Sequence, residues 1–410
     1  MFGYASRDLE LTHEETARIH ELYRHLHANP ELSMQEHRTA RLITEHLNAT
    51  GAETFSCGGT GVVGVLRNGE GPVVGFRADI DGLPIKEETG LDYASQATGA
   101  LADGTQVPVM HGCGHDTHIT AALTAAALLA GATDAWTGTV VFLFQPGEET
   151  AAGAQAMVDD GLWNRAPKPE IIYGQHVVPS LAGTVSISRG TAMAMAASWK
   201  VTVHGRQAHG SQPQEAIDPI VLGAHMLVRL QTIISRELDP AQSAVVTIGT
   251  FHGGLKENII PAMAEFTINV RSFDQKVHDA VLTSIRRIIR AEAEASSATP
   301  PEIEELYSFP LCYNDPTATD QLIQEFRVTI GEEEVREVPP MMASEDFGTL
   351  ATAISAPSVY WTFGGHTADT LKADGHIAGN HSPHFAPALE PTLSTGVRAA
   401  MTAILSKVGR

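Results

Sequence analysis

The stretch TVVFLFQPGEETAAGAQAMVDDGLWNRAPKPEIIYGQH, residues 139–176, reads as strand, helix, strand. TVVFLF (139–144) is an unbroken apolar run, rich in β-branched and aromatic residues and closed by Pro-Gly. Such a run is too short for a buried helix and fits a strand covered on both faces. A helix is predicted over about 150–160, and IIYGQH (171–176) is a second buried strand ending at His176. Strands separated by helices pack as one sheet with helices on both faces, so the fold class is α/β. Chemistry-bearing residues stand where these strands end. Glu148 and Glu149 follow the first, although an unpaired carboxylate is costly to bury, and His176 closes the second. The carboxyl edge of such a sheet is the usual place for a ligand site. A plain acidic helix N-terminus, favoured by the helix dipole, is the alternative for the glutamates. A hydrogen-bonded structural role is the alternative for His176.

The same alternation extends outward. Apolar spacing predicts helices over 14–29 and 35–50, broken at Asn29-Pro30 and ended by Gly51. Two β-rich runs, 61–66 and 72–78, flank Asn68-Gly69 and predict a hairpin. An Ala/Leu helix follows His115. Past about residue 187 the texture changes. SWKVTVHG (198–205), a helix over about 215–236, strands at 244–253 and 264–273 and a helix over 278–295 follow in turn. This β-α-β-β-α order predicts an inserted α+β, ferredoxin-like domain. The Ser/Ala/Thr/Pro stretch 295–301 reads as its exit linker, and a strand (357–363) and helix (388–407) return to the first domain. The expected division is therefore 1–187 with 302–410, and 188–301 between them.

Composition narrows the function. A chain of 410 residues exceeds one ordinary core, in keeping with two domains. Its 27 Lys and Arg against 48 Asp and Glu give a net charge of −21, which argues against nucleic-acid and anionic-membrane partners. Cys57, Cys113 and Cys312 have no disulfide-framework spacing, and MFGYASRDLELTHEE lacks the apolar run of a secretory signal. A cytoplasmic location is expected.

Two further clusters carry chemistry. MHGCGHDTH (110–118) sets His111, Cys113, His115, Asp116 and His118 at a helix start. Thiolate and imidazole both bind zinc-like ions, and alternate residues of an extended loop can converge on one ion. A helix capped by Asp116 with incidental histidines is the plainer alternative. GNHSPHF (379–385) places His381 and His384 in a Pro-containing loop. Together with the glutamate pair and His176, these motifs make up the ligand inventory of a two-metal hydrolase.

At this point the chain resembles the amidohydrolase branch of the aminoacylase/carboxypeptidase superfamily, which includes hippurate hydrolases and indole-acetyl-amino-acid hydrolases. The resemblance runs through RHLHANPELSMQE (24–36), FRADIDGLPI (76–85), CGHD, QPGEE, ENIIP (257–261), MMASEDFG (341–348) and HSPHF (381–385). It implies a dinuclear-metal exopeptidase-type catalytic domain, a mixed sheet between helices, and an inserted lid and dimerisation domain. Implied metal ligands are Cys113, His115, Glu149, His176 and His381, with Glu148 as catalytic acid/base. Asp79 and Asp81 are expected to support the ligands from behind. His384 is a candidate secondary contact, and His111 and His118 are expected to pack. In the lid, His209 matches the histidine that reaches a partner's active site, although GRQAHGSQ around it departs from the usual Gly-Gly-His-Ala-Ala. Asn258 and Arg271 match the positions that bind the substrate amide and α-carboxylate. An Arg can grip a carboxylate through two charge-assisted hydrogen bonds.

The implied activity is hydrolysis of N-acyl amino acids with two divalent ions per subunit (Zn, Mn, Co or Ni) in a homodimer. A dipeptidase or carboxypeptidase is the rival enzyme reading. A catalytically silent binding protein would have no chemical need for Glu148.

Overall fold

The structure, a computed structural model, describes residues 11–372 and 377–410. Helices α1 (His13–Ala28) and α2 (His37–Ala49) come first, then strands β1 (Glu53–Cys57), β2 (Gly61–Asn68) and β3 (Val73–Asp79). Next are α3 (His115–Gly131), β4 (Gly138–Gln145), α4 (Gly153–Asp159), β5 (Ile171–Leu181) and β6 (Val185–Ile187). A second group holds β7 (Met195–His204), β8 (Ala208–His209), α5 (Pro219–Thr232), β9 (Ala244–Gly253) and β10 (Ile259–Ile260). It continues with β11 (Met263–Ser272), α6 (Gln275–Ala295) and β12 (Glu302–Phe309). The chain closes with α7 (Pro316–Thr329), β13 (Val335–Glu337), β14 (Ser358–His366) and α8 (Thr392–Val408).

The described residues fall into two compact units, one of 11–192, 313–339, 346–372 and 377–410, the other of 193–312 and 340–345. The first is built on an eight-stranded mixed sheet in the order β1-β2-β4-β3-β5-β14-β6-β13. Strands β3, β4, β5 and β14 run parallel, and β4 and β14 are buried at every position. Helix α3 packs against α1, α2 and α8. Its many alanines allow that close approach, and its core positions Ile119, Ala122, Ala126 and Leu129 are buried. Among the described residues no helix is long and apolar enough to cross a membrane. None of the three cysteines forms a disulfide.

The expected hairpin of 61–66 with 72–78 does not form, because β4 lies between β2 and β3. Every residue of β4 is buried, and GTVVFLFQ has no polar face to turn to solvent. It therefore takes a central place with a partner on each side. The Asn-Gly turn carries the chain across one strand position instead of folding it back on itself.

The second unit is a four-stranded antiparallel sheet in the order β9-β11-β7-β12. Trp199, Val201, Val203, Phe266, Ile268 and Val270 form its inner face, covered by Leu222, Met226 and Leu230 of α5 and Val281, Ile285 and Ile289 of α6. Here the structure extends the expected boundary at 301. The supposed exit linker leads into β12, which pairs with β7 as the fourth strand. EIEELYSF is exposed at most positions, as suits a charged sheet edge, so its apolar signal was weak.

Candidate metal and catalytic site

The expected ligands and their supports gather at the carboxyl ends of β3 and β4 and beside the middle of β5. Asp79 is the last residue of β3, Glu148 and Glu149 follow β4 by a short turn, and His176 lies on β5. Cys113 and His115 arrive on the loop that starts α3. Gly114 between them has φ +85°, and a Cβ there would stand 2.4 Å from Val177 Cγ1. The Cys-Gly-His spacing is thus imposed by a left-handed turn pressed against β5. His381 comes from the far loop, its own N–H bonded to the Gly112 carbonyl at 2.8 Å.

The ligand atoms of Cys113, Glu149 and His381 lie within 4.8 Å of one another, as do those of His115, Glu148 and Glu149. Glu149 belongs to both groups. Its Oε1 is 3.2 Å from His381 Nε2 and 3.8 Å from His115 Nε2. Cys113 Sγ stands 3.4 Å from His176 Nε2. His115 Nε2 and Glu149 Oε1 are buried polar atoms with no hydrogen-bond partner. Such orphans are costly unless something is bound between them.

Neighbouring groups fix which nitrogen of each imidazole is free. His115 Nδ1–H faces two acceptors of Asp81, the carbonyl at 2.9 Å and Oδ1 at 3.1 Å, so Nε2 presents its lone pair. His176 Nδ1–H donates to the Val177 carbonyl at 2.7 Å, which likewise frees Nε2. A partner that fixes the tautomer in this way is the usual companion of a metal-bound histidine. Burial, with His118 nearby, holds His176 well below the ordinary imidazole range, so it is neutral and ligand-competent. His115 differs: burial opposes its charge, but Asp79, Asp81 and Glu149 raise its pKa to about 10, so Nε2 keeps a proton unless a metal ion takes the place of it. Asp79, Asp81, Glu149 and Glu148, the last 4.0 Å away, surround one imidazole and make a pocket that calls for a cation. The residues present therefore fit divalent ions.

His118 belongs to the support. Its Nδ1–H donates to Asp79, and its Nε2 accepts the Val177 N–H at 2.8 Å, so neither nitrogen is free for a metal. His111 is buried with neither ring nitrogen partnered, and burial lowers its pKa to about 4. His384 donates to or accepts from no ligand; its Nδ1 lies 2.8 Å from the Glu88 carbonyl and ties its loop down.

Sequence reasoning passed over several supports. Arg77, fully buried, pairs with Asp79 at 2.8 Å, with the Gln145 side chain at 2.9 Å and with Asp346 at 3.4 Å. Burial disfavours the Asp79 carboxylate, but Arg77, His115 and His118 hold it well below the usual range. A second buried cluster joins His27 to Asp116 at 2.6 Å and to Glu87 at 3.1 Å. Both Arg77 and His27 stand inside motifs already quoted, but apart from Asp79 their partners are far away in sequence. An arginine within an otherwise apolar strand was the available signal.

The remaining three predicted residues lie in the second unit. His209, on β8, is exposed, and its Nδ1 accepts from the Ser211 N–H and hydroxyl, which leaves the proton on Nε2. Asn258 sits beside it, its carbonyl taking the Gly210 N–H at 2.8 Å. Arg271, on β11, donates to the Met342 carbonyl at 2.6 Å and to Asn269 Oδ1 at 3.0 Å.

The chain is 34% identical to a thermostable carboxypeptidase of Saccharolobus solfataricus over 375 residues, 90% of each chain. It is 37% identical to the hippurate hydrolase of Campylobacter jejuni over 327 residues, 79% of this chain and 82% of that one. The crystal structure of the Bacillus subtilis YXEP protein, described as a dinuclear metal binding peptidase, superposes with a TM-score of 0.74 at 28% identity. That match covers 96% of this chain and 99% of the other. The family model described as peptidase family M20/M25/M40 matches residues 75–406, and the chain belongs to that family.

Proposed function

We propose that this chain hydrolyses the amide bond of N-acyl amino acids, releasing a carboxylic acid and a free amino acid. The observation that carries the reading is the pair of buried, unpartnered atoms His115 Nε2 and Glu149 Oε1, 3.8 Å apart, with Glu148 Oε2 4.0 Å from the same imidazole nitrogen. Cys113, His115, Glu149, His176 and His381 would hold two divalent ions, of zinc, manganese, cobalt or nickel. Ions bound there supply Lewis acidity toward the amide carbonyl and toward water.

The rest of the work falls to side chains. Glu148 takes the proton from the attacking water and delivers it to the leaving nitrogen, the ordinary duty of a positioned carboxylate. Asp79 and Asp81 hold the histidines in place. Arg271 binds the substrate carboxylate, Asn258 the amide, and His209 donates from Nε2 to the developing oxyanion. The same reading makes the chain a homodimer joined through the inserted unit, where the edge strand β9 and the exposed Val221 and Val228 of α5 offer a face to cover. Sedimentation equilibrium should give twice the chain mass; a monomer at micromolar concentration removes this part.

Substrate class is tested on protein reconstituted with each metal in turn. Hippurate and an N-acetyl amino acid should be hydrolysed, and an unblocked dipeptide should be turned over at least about 10-fold more slowly, because no carboxylate is assigned to hold its free amine. Preference for the dipeptide would favour the peptidase reading that the carboxypeptidase relatives suggest.

A further inference from the structure

The turn that carries Glu148 is held by a residue far from it in sequence. Glu36, fully buried, accepts the Gly147 N–H at 2.8 Å through Oε1. The same oxygen accepts the Met34 N–H at 2.8 Å, and Oε2 accepts the Thr60 hydroxyl. Both N–H donors belong to residues in left-handed conformation, Met34 at φ +62° and Gly147 at φ +53°. A Cβ on Gly147 would lie 2.6 Å from Met34 Sδ, so the two turns are pressed together. One carboxylate therefore staples two left-handed turns, one of them at a non-glycine residue.

A second carboxylate grips the other side. Asp81 Oδ2 accepts the Glu149 N–H at 3.1 Å and the Ser33 hydroxyl at 2.6 Å. The N–H groups of the two residues flanking Glu148 are thus fixed, that of Gly147 by Glu36 and that of Glu149 by Asp81. The short segment Ser33–Glu36 reaches both anchors. We propose that Glu36 is a positioning residue for the Glu148–Glu149 pair, acting through the Gly147 N–H. The proposal rests on the reading of Glu148 as acid/base and Glu149 as a ligand.

Hydrogen-bond chemistry sets the test. In Glu36→Gln the amide oxygen can still accept from Met34 and Gly147, while its NH2 donates to Thr60, whose hydroxyl turns to accept. Glu36→Ala removes all three partners. Zinc affinity, by competition with a chelator, should weaken about 10-fold or more in Glu36→Ala, the usual scale for losing an outer support of a metal site. Its kcat for hippurate should fall by a similar factor with KM within about two-fold, since the Glu148 turn acts on the chemical step. Glu36→Gln should stay within about two-fold of wild type in all three. If Glu36→Ala does not fold, Glu36→Asp takes its place, one methylene too short to reach Gly147. Unchanged zinc affinity and kcat in the folded variant, with only a lower melting temperature, would overturn the proposal. Glu148→Gln is measured alongside. If that variant keeps full turnover, the acid/base reading fails by itself, and the zinc affinity of Glu36→Ala still decides whether Glu36 positions Glu149.

Discussion

Glu148→Gln should lower kcat by about 100-fold or more while leaving metal content intact, the scale expected when a general base is removed. The substitution preserves shape. Glu148 is nearly buried, and its Oε2 lies 4.0 Å from His115 Nε2, whereas Glu149 faces both His115 and His381. The two neighbours therefore divide into one group beside the ion site and one within it. Glu149→Gln should accordingly lose metal as well as activity. Metal analysis and steady-state kinetics on both variants separate the roles, and wild-type turnover in metal-loaded Glu148→Gln would remove the assignment.

His27→Ala should destabilise the first unit by about 3–5 kcal/mol, the cost of leaving buried charges without their partner. His27 lies in the last turn of α1, where a cation suits the helix dipole, and Asp116 lies in the first turn of α3. Burial opposes the imidazolium, but Asp116 and Glu87 raise its pKa to about 10. Both carboxylates are shifted the other way, below their ordinary values: burial opposes each charge, and His27 outweighs it. The sign follows from the raised value. The contribution is fully present below the unfolded histidine pKa of about 6.5 and is lost as pH rises through about 10. Denaturant unfolding of wild type and His27→Ala should show the largest gap near pH 6 and a narrowing gap toward pH 10. A gap that stays constant or widens with pH would mean that His27 is not held as a cation.

Much of the site could be read from the chain itself. TVVFLF and IIYGQH announce buried strands because their runs leave no face for solvent, and Glu148 and Glu149 stand out past the first for the same reason; His176, expected to end the second, sits inside a strand that runs on to Leu181. MHGCGHDTH concentrates its donors so tightly that local geometry almost brings them together. The division into two units also shows, since the apolar period changes near residue 187. All of these signals are local. What the chain alone left undecided depends on contacts between distant residues. The placement of β4 between β2 and β3 follows from which strand most needs burial on both sides, a competition settled across the whole sheet. Strand β12 was missed because an exposed charged edge carries little apolar pattern. The supports of the site were hidden for the same physical reason. Arg77 meets Asp346 across 269 residues and Glu36 meets Gly147 across 111, so each is an ordinary charged residue until the fold brings its partner to it.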